Sequence, residues 1–271
     1  MAAGQVLAFL NNDMQVSANW LNEAVSKLYS ERGVAAVQCK IKYHDSKDTI
    51  DCIGMSVDKY NISHMIGHEE RDEGQYDKLS EIGACSGGAM LIRKDTFDEL
   101  GRFDGTYFMY YEDVDLCWRM RASGYRIKPA TASEVYHVGS ASSKMTSAGM
   151  WNPSPFFAFE MTKNYLYCWL KNSRLSTIIC CSPVVSFVVL AMFLTAILRR
   201  KPSVFISHVR GVLWILAHLK VIQRKRKGMS DLIKNQPKNI LFVSNGGQNT
   251  SNLSKRLLRL YHLIEKEVSN G

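Results

Sequence analysis

From Ser176 to Leu198 the chain runs 23 residues without a charged side chain. As a helix that run is long enough to cross a bilayer. Pro183, near its start, is tolerable in such a helix. A second apolar segment, Val204 to Ile222, is interrupted by His208, Arg210 and His218, so it reads as a weaker second span or as an amphipathic helix in the interface. A two-span hairpin would place Arg199-Arg200-Lys201 on the far side, against the tendency of basic loops to stay inside. One span, or a membrane-dipping segment plus an interfacial helix, is the expected arrangement. A pair of buried helices in a soluble bundle is the competing one.

The formal net charge of +9 points to an anionic partner. The basic residues crowd into Arg199-Arg200-Lys201, Arg224-Lys225-Arg226-Lys227 and Lys255-Arg256, around the apolar segments. That placement favours a membrane surface over nucleic acid. No nucleic-acid-binding motif is present. Seven cysteines are scattered without zinc spacing and read as buried free thiols in a reducing compartment.

Residues 1–170 read as an α/β unit. Val6 to Leu10 is a short apolar strand, Asn19 to Tyr29 has helical spacing, and Val34 to Cys39 is the next strand. Gly33 stands between them as a terminator. This alternation predicts a mostly parallel sheet. Residues 40–80 are polar and turn-rich, a connecting region with one or two short strands. Gly87 to Ile92 reads as a turn entering a strand, Asp95 to Leu100 as a short helix with Asp95 as N-cap and Gly101 behind it, and Glu112 to Ser123 as a helix stopped by Gly124. Tyr125 to Ile127 begins an expected edge strand. Residues 171–228 form a membrane-associated segment, with 176–198 its expected span. Residues 229–271 form a basic tail with a terminal helix.

Three groups carry chemistry. Asn11-Asn12-Asp13 follows a strand directly, where α/β sheets bind ligands, and a carboxylate there can hold a hard divalent cation. Taken alone, the simpler reading is an Asn/Asp turn that ends the strand. Glu112, Asp113 and Asp115 put three carboxylates at a helix start, after Tyr107, Phe108, Tyr110 and Tyr111. Ordinary helix capping accounts for the acids. A desolvated aromatic cleft that tunes a base and stacks on sugar rings accounts for the combination equally well. His137 follows a strand, and a lone histidine there is more often structural.

Gly87 to Arg93, Phe97 to Asp104, Phe108 to Leu116, Gly124 to Ile127 and His137-Val138-Gly139-Ser140 occur in this order. The string resembles the family 2 glycosyltransferases of the rhamnosyltransferase-like branch, as does Leu10-Asn11-Asn12-Asp13 with Trp20-Leu21 after it. The likeness covers residues 5 to about 140. It implies a GT-A fold, the α/β sandwich that handles nucleotide-diphosphate sugars, here followed by C-terminal membrane-associated helices. It implies an inverting, metal-dependent enzyme with a nucleotide-sugar donor and a glycan or lipid-linked acceptor. Asp13 and His137 would hold Mg2+ or Mn2+, with Asn11 at the first position of the DxD-like motif. Asp113 would be the general base. Glu112 and Asp115, with Tyr110 and Tyr111, would shape the acceptor pocket or orient the base. Gly87 and Gly88 would let backbone approach the donor.

The family begins with a nucleotide-binding half that precedes the metal motif, and this chain has none of it. The domain is therefore expected to be N-terminally truncated: a truncated gene model, a decayed gene, or a split gene whose partner chain supplies the first half. A membrane-associated enzyme with a cytoplasmic catalytic domain is the primary reading. A non-catalytic membrane-anchored fragment or partner subunit is the alternative.

Overall fold

The computed structural model describes residues 3–138 and 153–234. In chain order these form β1 (Val6–Leu10), β2 (Met14–Val16), α1 (Trp20–Leu28), β3 (Val34–Tyr43), β4 (Ile50–Cys52), β5 (Met55–Val57), β6 (Ser63–Met65), β7 (Ala89–Arg93), α2 (Lys94–Glu99), α3 (Glu112–Ala122) and β8 (Arg126–His137). Four helices follow: α4 (Pro155–Asn172), α5 (Leu175–Leu198), α6 (Pro202–Ala217) and α7 (Leu219–Lys234). Gly139-Ser140 and the expected terminal helix lie outside the described residues.

The main sheet has the order β1-β7-β3-β8-β2, with β4 also on β3. It is mixed rather than mostly parallel. Among the described pairings β3 with β8 is parallel, and every other pairing in this sheet is antiparallel. Alternating strands and helices fix the layers of a domain but not strand direction. Nor is β8 an edge strand, since β3 and β2 flank it. β3 is the centre, and its first nine residues are buried.

Strand alternation divides the core into two layers. On β7, Ala89 and Leu91 face α1, packing with Ala24, Leu28, Val37 and Cys39. Met90 and Ile92 face the other way, toward Leu116, Met120 and Tyr165 of α3 and α4. Gly33 and Gly124 take φ of +82° and +86°, the left-handed geometry expected of helix and turn terminators. Asp95 does not cap α2 from outside, because the helix already starts at Lys94. Its carboxylate accepts from the Thr96 N–H at 2.6 Å.

α4 joins the C-terminal helices to the α/β layers through apolar packing of Tyr165, Cys168 and Trp169 and through polar groups. Tyr167 donates to Asp104 at 2.8 Å, and Asn172 donates to Asp115 at 2.8 Å. Lys171 pairs with both Asp104 and Asp115, at 2.8 and 2.6 Å. Asn61, fully buried with φ of +61°, ties the connecting region to both helices. Its Oδ1 accepts from the Trp118 indole at 3.1 Å, its Nδ2 donates to the Tyr165 carbonyl at 3.2 Å, and its own carbonyl accepts from the Tyr111 hydroxyl at 3.2 Å. Asn61→Ala leaves the indole N–H and the Tyr165 carbonyl without these partners in a dry interior. The Tyr165 carbonyl keeps its intrahelical bond, so the expected loss is that of the indole N–H, about 1–3 kcal/mol, measured as a fall in the urea midpoint.

Candidate active site

β2 and β8 bring the first pair of residues together. Their register sets Met14 opposite His137, and the Val138 N–H donates to the Asp13 carbonyl at 2.8 Å. His137 Nε2 thereby lies 3.2 Å from Asp13 Oδ2. On its other side, His137 Nδ1 is 2.8 Å from Oδ2 of Asp51, the middle residue of β4. The Asp51 carboxylate also faces His68, whose Nδ1 is 3.0 Å from the Asp51 carbonyl and 3.4 Å from its Oδ1. Burial alone would raise the Asp51 pKa, but the bonds from His137 and His68 outweigh it and hold it at about 2. The bond to Asp51 raises the His137 pKa, and Asp13 adds to the effect.

With the Nδ1 proton given to Asp51, Nε2 of His137 faces Asp13, where it can ligate a cation once it has lost its own proton. Cis ligands in an octahedron at about 2.1 Å from a cation lie about 3 Å apart, which fits the 3.2 Å between Nε2 and Oδ2. The donor set of one carboxylate and one imidazole suits Mn2+ or Mg2+ only if other ligands complete it. Among the described residues no group of three His, Cys, Asp or Glu side chains converges on such a point. The fit is therefore to a cation shared with a bound anion and water.

The second cluster begins with backbone geometry. Tyr110 and Tyr111 both take left-handed φ, +68° and +71°, which costs bulky side chains of order 1–3 kcal/mol each. The α4 side chain Asn164 secures that turn, donating to the carbonyls of Met109 at 2.7 Å and Tyr110 at 2.9 Å. The chain then enters α3 with Glu112 and Asp113. Asp113 Oδ2 accepts from the Gly87 N–H at 2.8 Å and Oδ1 from the Val114 N–H at 2.7 Å. Burial raises the Asp113 pKa despite these bonds. Burial, and then the charge of Asp113, push Glu112 up to about 7.

Gly87 and Gly88 join the two clusters. Gly88 accepts from the Asn11 N–H at 3.0 Å, while Gly87 holds Asp113. A Cβ on Gly88 would come 3.0 Å from Met14 Cε. Fully buried Gln38 fixes this turn from β3, accepting from the Ser86 N–H at 2.6 Å and donating to the Ala89 carbonyl at 2.9 Å. Cys52 lies near both clusters: its thiol is pushed up to about 12 by burial, and the charges of Asp51 and Asp113 add to that.

Two expected pocket residues have other roles. Asp115 is fully buried, bonded to Tyr107, Arg119, Lys171 and Asn172. Successive helix residues turn by about 100°, so Asp115 points away from Asp113 and secures α3 to α4. Tyr111 is buried with its hydroxyl on Asn61. Tyr110 is half-buried and packs edge-on against Phe157. Asn11 is exposed on the strand end. Asp51, His68, Gln38 and Asn164 were not singled out from the sequence. Asp51 and His68 lie in the turn-rich connecting region, Gln38 within β3, and Asn164 in a stretch to which no element was assigned from the sequence.

No family model matches the sequence. The chain is 32% identical over 155 residues to the O-antigen biosynthesis protein RfbC of Myxococcus xanthus, covering 52% of this chain and 11% of that protein. It is 32% identical over 170 residues to the rhamnosyltransferase WbbL of Escherichia coli, covering 59% of this chain and 63% of that one. Over 56 residues it is 41% identical to the N-acetylglucosaminyl-diphospho-decaprenol L-rhamnosyltransferase of Mycobacterium tuberculosis, covering 21% of this chain and 18% of that one. The matches thus span between about a tenth and under two thirds of these relatives. Among solved structures, GalNAc-T7 with UDP, GalNAc and Mn2+ aligns with 61% of this chain and 31% of its own, at TM-score 0.43 and 18% identity. The mannosyltransferase PcManGT of Pyrobaculum calidifontis with GDP-Man and Mn2+ aligns with 85% and 60%, at TM-score 0.38 and 11% identity.

The raised Glu112 pKa has a consequence for stability. A carboxyl group with a raised folded-state pKa adds stability below its unfolded value of 4.5, and that contribution is lost as pH rises toward 7. Glu112→Gln is expected to flatten the fall in stability between about pH 4.5 and 7, read from urea midpoints across that range.

Proposed function

We propose that this chain is a GT-A-type, family 2 glycosyltransferase that moves a sugar from a nucleoside-diphosphate sugar to a hydroxyl of a glycan or lipid-linked acceptor. The observation that carries this reading is the Gly87-Gly88 turn, whose backbone holds Asp113 on one side and the Asn11–Asp13 strand end on the other. A base and a cation-binding pair at the two ends of one short turn are what transfer from a diphosphate leaving group needs. The resemblance to rhamnosyltransferases supports the same reaction class.

Asp113 takes the proton of the acceptor hydroxyl as that oxygen attacks the anomeric carbon. The bond from the anomeric carbon to the diphosphate oxygen breaks, and its electron pair leaves with the nucleoside diphosphate. Attack opposite the leaving group inverts the anomeric configuration. The two backbone N–H bonds hold the Asp113 carboxylate in one orientation, and burial keeps the proton affinity of Asp113 and Glu112 high. Asp13 and His137 would hold a divalent cation, which when bound neutralises charge on the departing diphosphate. Asp51 orients His137 for that task, in the manner of carboxylates behind metal-bound histidines. Membrane association of the C-terminal helices would set the catalytic domain on the cytoplasmic face, near a lipid-linked acceptor.

Asp113→Asn is expected to lower transfer by about 10²–10⁴ while donor binding, measured by calorimetry with Mn2+, is retained. Unchanged transfer would remove Asp113 from the base role. A folded wild-type chain that binds no nucleotide sugar would favour the non-catalytic reading. Asp51→Asn is expected to weaken Mn2+ binding in the presence of nucleoside diphosphate by about 10–100-fold, read by electron paramagnetic resonance.

A further inference from the structure

α5 touches the rest of the protein along its whole length. Near its start, Cys181 and Val185 enter the main core, with Ile178 and Val188 packed against it. Further along, Met192 Sδ lies 3.8 Å from Oγ1 of Thr162 on α4. Near its end, Ala196 packs with Ala158 of α4 and Val204 of α6. These positions recur every three or four residues and make one stripe. α4 is itself fastened to the α/β layers by Asn164 at its middle and Asn172 at its end. Both ends of α5 therefore rest on one polar body.

A spanning helix delivers its ends to opposite sides of about 30 Å of hydrocarbon. α5 cannot do so while packed lengthwise on α4, unless the polar domain enters the lipid with it. α6 returns beside it, closed by Phe193 against Phe205 at 5.6 Å. α6 carries an exposed Arg210 partway along, over the Phe159 ring at 5.7 Å, an expensive residue at the centre of a span. The chain then bends by 66° into α7.

The opposite stripe of α5 is apolar and exposed: Ile179, Phe187, Leu190, Leu194 and Ile197. On α6, Ile206, Leu213 and Leu216 are exposed as well. We propose that α5 and α6 form a hairpin lying in the plane of the membrane, with these stripes in the acyl region of one leaflet and the whole domain on that leaflet's side. Charge selects a lipid surface as the occupant. Arg199, Arg200 and Lys201 form the hairpin turn, and α7 adds exposed Lys220, Arg224 and Lys227, where anionic headgroups would meet them.

The test places single cysteines in the full chain, bound to sealed phosphatidylglycerol–phosphatidylethanolamine vesicles, in a Cys180→Ser background that removes the one exposed native thiol. Ser30→Cys reports the domain and Ser203→Cys the hairpin turn, both at exposed positions. A membrane-impermeant maleimide added outside is expected to label both sites or, where the chain faces inward, neither. Labelling of one site without the other would mean that α5 crosses the bilayer and would overturn the proposal. So would a full chain that stays soluble as a dimer without vesicles, since a second copy would then cover the stripe. A Phe187→Ser, Leu190→Ser double variant is expected to lower the vesicle-bound fraction by about tenfold or more with an unchanged urea midpoint. This holds whether or not the chain transfers a sugar.

Discussion

The two hydrogen bonds from Asn164 to the carbonyls of Met109 and Tyr110 hold the conformation on which the candidate site depends. Two consecutive tyrosines in left-handed geometry would relax if nothing opposed them. Held there, they turn the chain so that α3 begins with Asp113 against the Gly87 N–H. Asn164 belongs to α4, so the C-terminal helices and the acidic turn form one mechanical unit. Buried Asn61 and the Asp104–Lys171–Asp115 group extend that unit through the interface. Removing one member of such a buried ionic group would leave its partner's charge unpaired and cost about 3–5 kcal/mol.

The other half of the site is set by strand pairing. β2 is only three residues long, yet its register on β8 determines that Asp13 meets His137. Asp51 then fixes the imidazole from β4. Three short segments far apart in sequence thus produce one oriented nitrogen beside one carboxylate. With two protein ligands among the described residues, a cation would bind strongly only together with an anion that brings its own oxygens. That dependence suits a site whose substrate carries a diphosphate.

Much of this was legible beforehand. The helix over 112–122, the strand entering at Ala89 and the apolar helix over 175–198 follow from periodicity and from glycine terminators. Strand direction was not legible, because short apolar runs look alike in parallel and antiparallel pairs. β8 was read as beginning an edge strand, yet β3 and β2 flank it, and its polar residues, such as Lys128 and Glu134, are not left to solvent. They are partnered by Glu31 and Lys42 instead. Helical angle alone separates Asp113 from Asp115 and gives the latter to the interface. Asp51, Gln38 and Asn164 were missed because their importance lies in what they hold, which only tertiary contact reveals.

The most direct test of the central claim, that Asp13 and His137 bind a cation together with a nucleoside diphosphate, is a Mn2+ titration followed by electron paramagnetic resonance, with and without nucleoside-diphosphate sugars. Tight Mn2+ binding is predicted only when a diphosphate is present, and Asp13→Ala and His137→Ala should each abolish it. Equal Mn2+ binding in the wild type and both variants, or binding indifferent to the diphosphate, would contradict the account.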